Sequence, residues 1–353
     1  MSFRPAPRTR EPAAPMQPVI DPAGWYPADL AANDGWIYEL TAQEANEVRD
    51  VVAVIEERGL DILEIGREEI EMPRLDQSLA MLYDELLNGR GFFLLRGVPV
   101  ADFNHTQAAA AYWAIGSRFG RPVSQNNKGH LLGHVKDFGG DYSAPDVRGY
   151  QTNAELNFHC DQCDYVALLC MPPSKSGGAS RIASGVTVYN ELLKADPDLV
   201  EALIGEFYVS RHGEISPGQD PWYKLPVYSF HDGHFSGRGA SGHAIKAQDI
   251  PGVPPMTETQ LRAFTTFREI AKQFYFDMEF RQGDIQILHN HVTLHSRTSF
   301  VDWPEIERKR HLMRLWLTDP AGRPLIPGFR ENISGVNVKG VSPKAPVNNF
   351  EPA

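Results

Sequence analysis

The strongest constraint on this chain comes from two short segments far apart in sequence. The first is Asn157-Phe158-His159-Cys160-Asp161, and the second is Leu294-His295-Ser296-Arg297, whose histidine lies 136 positions after His159. Two imidazoles and one carboxylate make the ligand set of a non-haem Fe(II) oxygenase, which leaves coordination positions open for cosubstrate and O₂. The spacing has a geometric reason. Side chains i and i+2 of an extended strand point to one face, so His159 and Asp161 can both face a barrel interior while Cys160 points away. A third ligand must then arrive from another strand, which accounts for the long separation. The His-x-Asp pair alone is weak, because a strand histidine beside an aspartate is commonly no more than a hydrogen-bonded pair.

At 353 residues the length suits one large domain or two ordinary ones. With 42% hydrophobic and 22% charged residues the composition is that of a soluble globular protein with a sizeable core. A net charge of −11 argues against a nucleic-acid partner and gives no reason to expect an anionic membrane. No apolar run approaches the ~18–20 residues of a membrane span. An anionic small-molecule substrate stays compatible, since a local pair of arginines overrides the global sign. Cys160, Cys163 and Cys170 are too few and too crowded for a disulfide framework and read as apolar strand residues of a reducing, cytoplasmic protein.

Residues 1–35 read as a disordered or irregular N-terminal tail, 36–325 as a single domain and 326–353 as an irregular C-terminal tail. Thr41-Ala42-Gln43-Glu44 is a capping box that opens a helix running to about Arg58. Further helices fit Asp76 to Leu87, Thr106 to Phe119, Val188 to Leu192, Asp198 to Ile204 and Thr257 to Gln273. Gly91 to Gly97 encloses a buried strand, and Asp284 to Leu288 and His311 to Leu317 are short strands. From about residue 130 the pattern is short strands with turn signals. One β-rich core with helices packed outside accounts for this order.

The segment Arg308-Lys309-Arg310-His311-Leu312-Met313-Arg314-Leu315-Trp316-Leu317 is the second informative element. On a strand, Arg310, Leu312, Arg314 and Trp316 share one face. A charged residue on a buried face needs a partner, and a dicarboxylate cosubstrate is one that guanidinium binds bidentately. The two arginines are ~13 Å apart along a strand, too far to hold the same carboxylate. An edge strand with solvated arginines is the plainer alternative.

These elements occur in an order that resembles the taurine dioxygenase/aryloxyalkanoate dioxygenase family of Fe(II)- and 2-oxoglutarate-dependent oxygenases. The matching residues are the His159-x-Asp161 segment, Gly177-Gly178-Ala179-Ser180, Gly283-Asp284 with Asn290, Leu294 to Phe300, and Arg310 to Arg314. Together they span roughly residues 90–320. The resemblance implies a mainly β fold with α insertions, a double-stranded β-helix (a jelly-roll, cupin-like barrel) flanked by helices. It implies His159, Asp161 and His295 as iron ligands and catalytic centre, and Arg310 for the distal carboxylate of 2-oxoglutarate. Ser180 would be its hydroxyl partner where the family often has Thr. Arg314 falls where related enzymes place a substrate-facing arginine.

His289 and His291 share the odd register of His295, and residue physics leaves all three open as the third ligand; the resemblance selects His295. The carboxylate at 161 points away from halogenation, for which related enzymes carry a small residue there. Asn126, Asn127, Lys128 and the segment Gly149 to Asn153 read as substrate lining, with Asn153 as the substrate-binding candidate beside Arg314. Histidines such as His130, His134, His212 and His243 read as surface or core residues.

The expected function is oxidation, in the main reading hydroxylation, of a C–H bond in a small polar, carboxylate-bearing molecule, with Fe(II), 2-oxoglutarate and O₂ required and succinate and CO₂ released. The rivals are a zinc-dependent hydrolase on the same triad and a non-catalytic jelly-roll binding protein. A homo-oligomer is left open, since no heptad seam appears.

Overall fold

The structure, a computed structural model, describes residues 3–140 and 149–348. Two β-sheets carry the molecule. The larger runs Ile37–Glu39, Phe92–Arg96, Ile285–His289, Tyr165–Cys170, Leu312–Thr318, Arg121–Pro122, with Leu132–Val135 also on Leu312–Thr318. The smaller runs Tyr275–Met278, Ser180–Ser184, Thr293–Arg297, Leu156–His159 and is antiparallel throughout.

Period-two alternation sorts the side chains of both sheets. Phe92, Leu94, Val166, Leu288 and Trp316 of the larger sheet meet Ile182 and Met278 of the smaller one in a shared interior. Their neighbours Phe93, Leu95, Leu169, Ile287, Met313 and Leu315 point outward into a helical layer. Outward residues of the smaller sheet, Phe158, Ala183 and Leu294, pack on a second helical layer. This is the jelly-roll sandwich expected from the sequence, mainly β with helices on both faces.

Helix Ala42–Arg58 starts at Thr41, whose hydroxyl accepts from the Glu44 amide while the Glu44 carboxylate accepts from the Thr41 amide. It stops at Gly59, where φ is +61°. Helix Pro73–Asn88 is longer than the stretch from Asp76 to Leu87, because proline is tolerated in a first helical turn. Its Leu75, Leu79, Leu82 and Leu86 form a fully buried stripe; truncating any one to alanine costs about 2–5 kcal/mol. Helix His105–Gly116 is buried from Ala108 to its end.

Between Ser184 and Tyr275 the chain leaves the barrel. This excursion comprises helices Gly185–Ala195 and Pro197–Ile204, hairpins Glu206–Ser210/Trp222–Pro226 and Tyr228–His231/His234–Gly237, the short helix Gly242–Lys246 and helix Glu258–Ala271.

The N-terminal segment is irregular in backbone apart from the short helix Pro27–Ala31, and several of its side chains pack onto the barrel. Val19, Ala23 and Trp25 are buried, and the Trp25 indole donates to the Arg90 carbonyl. Asp21 is paired with both Arg10 and Arg323, the latter with both side chains almost fully buried. Near the other end, Pro327–Asn332 is a short helix whose Phe329 packs with Tyr223 and Leu225. Residues 1, 2 and 349–353 of the two expected tails lie outside the described residues. No helix among the described residues is long and apolar enough to cross a membrane.

Candidate iron and cosubstrate site

The smaller sheet builds the site by register. His159 ends strand Leu156–His159 and lies directly across from His295 on Thr293–Arg297, with ring centroids 4.2 Å apart. His295 also pairs with Ile182, so it shares the inward face with the interior core while Leu294 faces the helices. Asp161 lies past the end of the strand. Its position depends on a buried amide, because the Asp161 N–H donates to Asn290 Oδ1 at 3.3 Å. Cys160 points the other way, its thiol on the Thr293 carbonyl.

One ligand atom from each of His159, Asp161 and His295 lies within 4.8 Å of the others. His159 Nδ1 donates to the Asn157 carbonyl at 2.8 Å, which fixes the ring orientation and leaves Nε2 as the nitrogen not engaged with the backbone. Burial, reinforced by His159, pushes the His295 imidazole down to about 3, which leaves it neutral and able to ligate at neutral pH. Burial pushes Asp161 up, but the Arg314 guanidinium and both imidazoles outweigh it and hold the carboxyl below its ordinary value. His295 Nε2 is 3.7 Å from Asp161 Oδ2; with the imidazole neutral, this is a close approach of two candidate ligands and not a salt bridge.

The residues fit a metal on one further observation. Asp161 Oδ2 and His295 Nδ1 are out of solvent and make no hydrogen bond among the described residues. An ionised, unsatisfied carboxylate oxygen inside a protein is costly unless a cation completes it.

The arginine strand carries the neighbouring chemistry. Arg310, Leu312, Arg314 and Trp316 all line one cavity of about 370 Å³, which also contains His159, Asp161 and His295. Arg310 is 3% exposed, its Nη2 donates to the Gly178 carbonyl at 3.4 Å, its Nη1 bonds to nothing among the described residues, and no described carboxylate forms an ion pair with it. Burial lowers the guanidinium to about 10, still a cation at neutral pH. It lies over the Phe300 ring at 5.0 Å and against Gly178, whose φ of +73° brings bare backbone to within contact of Nε. A lone buried guanidinium at the wall of a cavity fits a carboxylate ligand.

Arg314 is more engaged. Its Nε donates to Gln125 Oε1 at 2.7 Å, its Nη1 is 3.6 Å from Asp161 Oδ2, and it stacks over Tyr150 and Trp316. Ser180 lines the cavity, but its hydroxyl donates to Gln286 Oε1 at 3.1 Å.

Several sequence candidates are placed elsewhere. Asn153 is exposed and outside the cavity lining; its carbonyl accepts from the Phe300 amide, so its role is to hold a loop. Asn126 turns its carbonyl oxygen to the Lys128 and His130 amides. His134 contacts His311 and the Pro346 carbonyl, and His291 contacts Asp164. His289 is buried against Tyr165. Gly149 and Tyr150 do line the cavity. The sequence reading missed Gln125 and Asn290 as positioning residues, since a buried amide leaves no local pattern. It also missed Arg238 and Arg268 on the cavity wall; the run Gly237-Arg238-Gly239 was the available signal for the first.

Comparison with known proteins agrees with this geometry. FR-33289 synthase of Streptomyces rubellomurinus is 30% identical over 318 residues, 87% of this chain and 92% of that protein. Among solved structures, an asparagine oxygenase in complex with Fe(II), 2S,3S-3-hydroxyasparagine and succinate superposes with a TM-score of 0.64 at 19% identity. It covers 80% of this chain and 93% of its own. The non-heme iron oxygenase OrfP in complex with Fe, succinate and (3S)-hydroxy-L-Arg gives 0.58 at 14% identity, covering 80% and 94%. The model of the family described as taurine catabolism dioxygenase TauD, TfdA family matches residues 57–316. The chain therefore belongs to the TauD/TfdA family and is a non-haem Fe(II)- and 2-oxoglutarate-dependent dioxygenase.

Proposed function

We propose that this dioxygenase hydroxylates a C–H bond of a small polar, carboxylate-bearing molecule such as an amino-acid derivative. The observation that carries the reading is the presence, in one cavity, of the three-residue cluster and of a buried Arg310 that forms no ion pair with a described carboxylate. When bound, iron with 2-oxoglutarate and O₂ supplies the oxidising power, with succinate and CO₂ released. The protein supplies orientation and a dry pocket.

His159, Asp161 and His295 are the residues that would hold iron. Arg310 would receive the far carboxylate of 2-oxoglutarate. Ser180 can join it by turning its O–H from Gln286 to the cavity. Arg314 would face the acidic group of the substrate while its Nη1 stays near Asp161. The hydroxylated amino acids in the asparagine oxygenase and OrfP complexes support an amino-acid-like substrate. A zinc hydrolase or a binding protein has no use for Arg310, and neither is favoured by the family.

The test is anaerobic. Fe(II) and then 2-oxoglutarate are added to metal-free protein, and the visible iron-to-keto-acid charge-transfer band is recorded. The band should form in wild type and be lost in His159→Ala. Absence of the band together with tight zinc binding would sink the assignment of these residues.

A further inference from the structure

Two arginines on the cavity wall have no place in the scheme above. Arg238 follows the hairpin Tyr228–His231/His234–Gly237, and Arg268 projects from helix Glu258–Ala271. Both come from the excursion between Ser184 and Tyr275, so they belong to a different wall from Arg310, just before the strand Leu312–Thr318, and Arg314 within it.

A main-chain carbonyl holds each side chain. Arg238 Nη2 donates to the Asp161 main-chain oxygen at 2.6 Å, and Arg268 Nη2 donates to the Ala240 carbonyl at 3.0 Å. Between Arg238 and Ala240 is Gly239, with φ +72°; a Cβ there would lie 3.7 Å from His159 Cα. The guanidiniums are thereby tied to the backbone beside two residues of the iron triad.

Each keeps an unused donor. Arg238 Nη1 and Arg268 Nε are out of solvent and bond to nothing among the described residues. No described carboxylate forms an ion pair with either residue, although the chain as a whole is strongly acidic. Burial alone lowers the Arg268 guanidinium, with no acid opposing it. The exposed Lys246 adds a third cation to this wall. Both residues are half-buried, and although Glu214 also lines the cavity, no carboxylate among the described residues is paired with either guanidinium.

We infer that Arg238 and Arg268 form an oxyanion subsite for the substrate, separate from the 2-oxoglutarate clamp. The substrate would carry, besides the group that faces Arg314, a further anionic group that these two guanidiniums receive. Two guanidiniums lining one cavity, each with an unused donor, match a doubly charged tetrahedral oxyanion better than a carboxylate. The inference rests on the reading of this cavity as the substrate site of the dioxygenase.

The test is calorimetric titration of the anaerobic enzyme, loaded with Fe(II) and saturated with 2-oxoglutarate, using sulfate and acetate as probes. Because 2-oxoglutarate occupies Arg310, the probes report on the remaining basic groups. Wild type should bind sulfate more tightly than acetate. Arg238→Gln and Arg268→Gln should each weaken sulfate about tenfold or more, the scale of a lost charged hydrogen bond. Arg268→Lys should recover part of the loss. The charge-transfer band retained in each variant shows an intact site. Preference for acetate, with the same losses, would assign the subsite to a carboxylate and overturn the tetrahedral choice. Equal binding in all four proteins, or none in wild type with the band present, would overturn the subsite. Absence of the band in wild type would count against the oxygenase assignment, while the ranking of the variants would still decide the subsite.

Discussion

His159 and His295 are direct cross-strand partners on the inner face of the smaller sheet. The hydrogen-bonded ladder therefore sets the distance between the two imidazoles, and no loop closure is needed to bring them together. A rigid pair of this kind is preorganised for a metal. His295→Ala should leave the fold intact, since the side chain is bonded to no structural partner described here. It should abolish iron retention and turnover together. Metal content after gel filtration checks this; retention of stoichiometric iron would oppose it.

Asn290 is fully buried and bridges three groups. Its Oδ1 accepts from the Asp161 amide, and its Nδ2 donates to the Cys163 carbonyl and contacts the Cys163 sulfur. Asn290→Ala should lower iron affinity about 10–100-fold, as expected when a group that orients a metal ligand is removed. It should also cost about 1–3 kcal/mol of stability through the unsatisfied buried carbonyl. Competition with a metal chelator and urea unfolding read the two effects separately.

Arg310 and Gly178 form one device. Arg310→Ala should weaken 2-oxoglutarate by about 1.5–3 kcal/mol, or roughly 10–150-fold, with little change in iron binding. Gly178→Ala acts on the same site from behind. The added Cβ would lie 3.0 Å from Arg310 Nε, at a left-handed φ that costs a non-glycine residue about 1–2 kcal/mol. Titration of the charge-transfer band with 2-oxoglutarate should show a raised half-saturation point in both variants. An unchanged value for Arg310→Ala would remove the clamp assignment.

Asp21 makes stability depend on acid pH. Burial pushes its carboxyl up, but the Arg323 and Arg10 guanidiniums prevail and hold it below the ordinary carboxylate value. A carboxyl depressed in the folded state contributes stability above its unfolded value of about 3.9 and loses it as pH falls through the lower folded value. Asp21→Asn should destabilise at neutral pH by about 3–5 kcal/mol, because Arg323 is left buried without its partner. The gap between variant and wild type should shrink as the solution is acidified below pH 4. A gap that is constant from pH 7 to pH 2 would show that the ion pair is not its source.

The local signals in the sequence were reliable where the physics is local. Thr41 and Thr257 announce capped helices, and both helices start there. The alternation in Arg310 to Leu317 divides the strand as expected, with Leu312, Arg314 and Trp316 to the cavity and Met313, Leu315 and Leu317 to the helices. The packed N-terminal segment was not legible. Its proline- and arginine-rich composition resembles a free tail, and the burial of Asp21 depends on Arg323, some three hundred residues later, as well as on the local Arg10.

The same division holds at the site. Sequence alone determined which residue types were available for iron and for a dicarboxylate, because His-x-Asp spacing and alternating arginines follow from the two-residue period of a strand. It could not choose among His289, His291 and His295, which share one register. Tertiary structure separates them: the turn after Ile285–His289 sends His291 to Asp164, and the next strand puts His295 opposite His159. It also decided that Arg238 and Arg268 reach the cavity, since they sit in an excursion whose return path onto the barrel depends on packing between distant segments. Ligand identity is written in short-range pattern, whereas ligand geometry and the charge of the pocket arise only when the sheets and helices close around them.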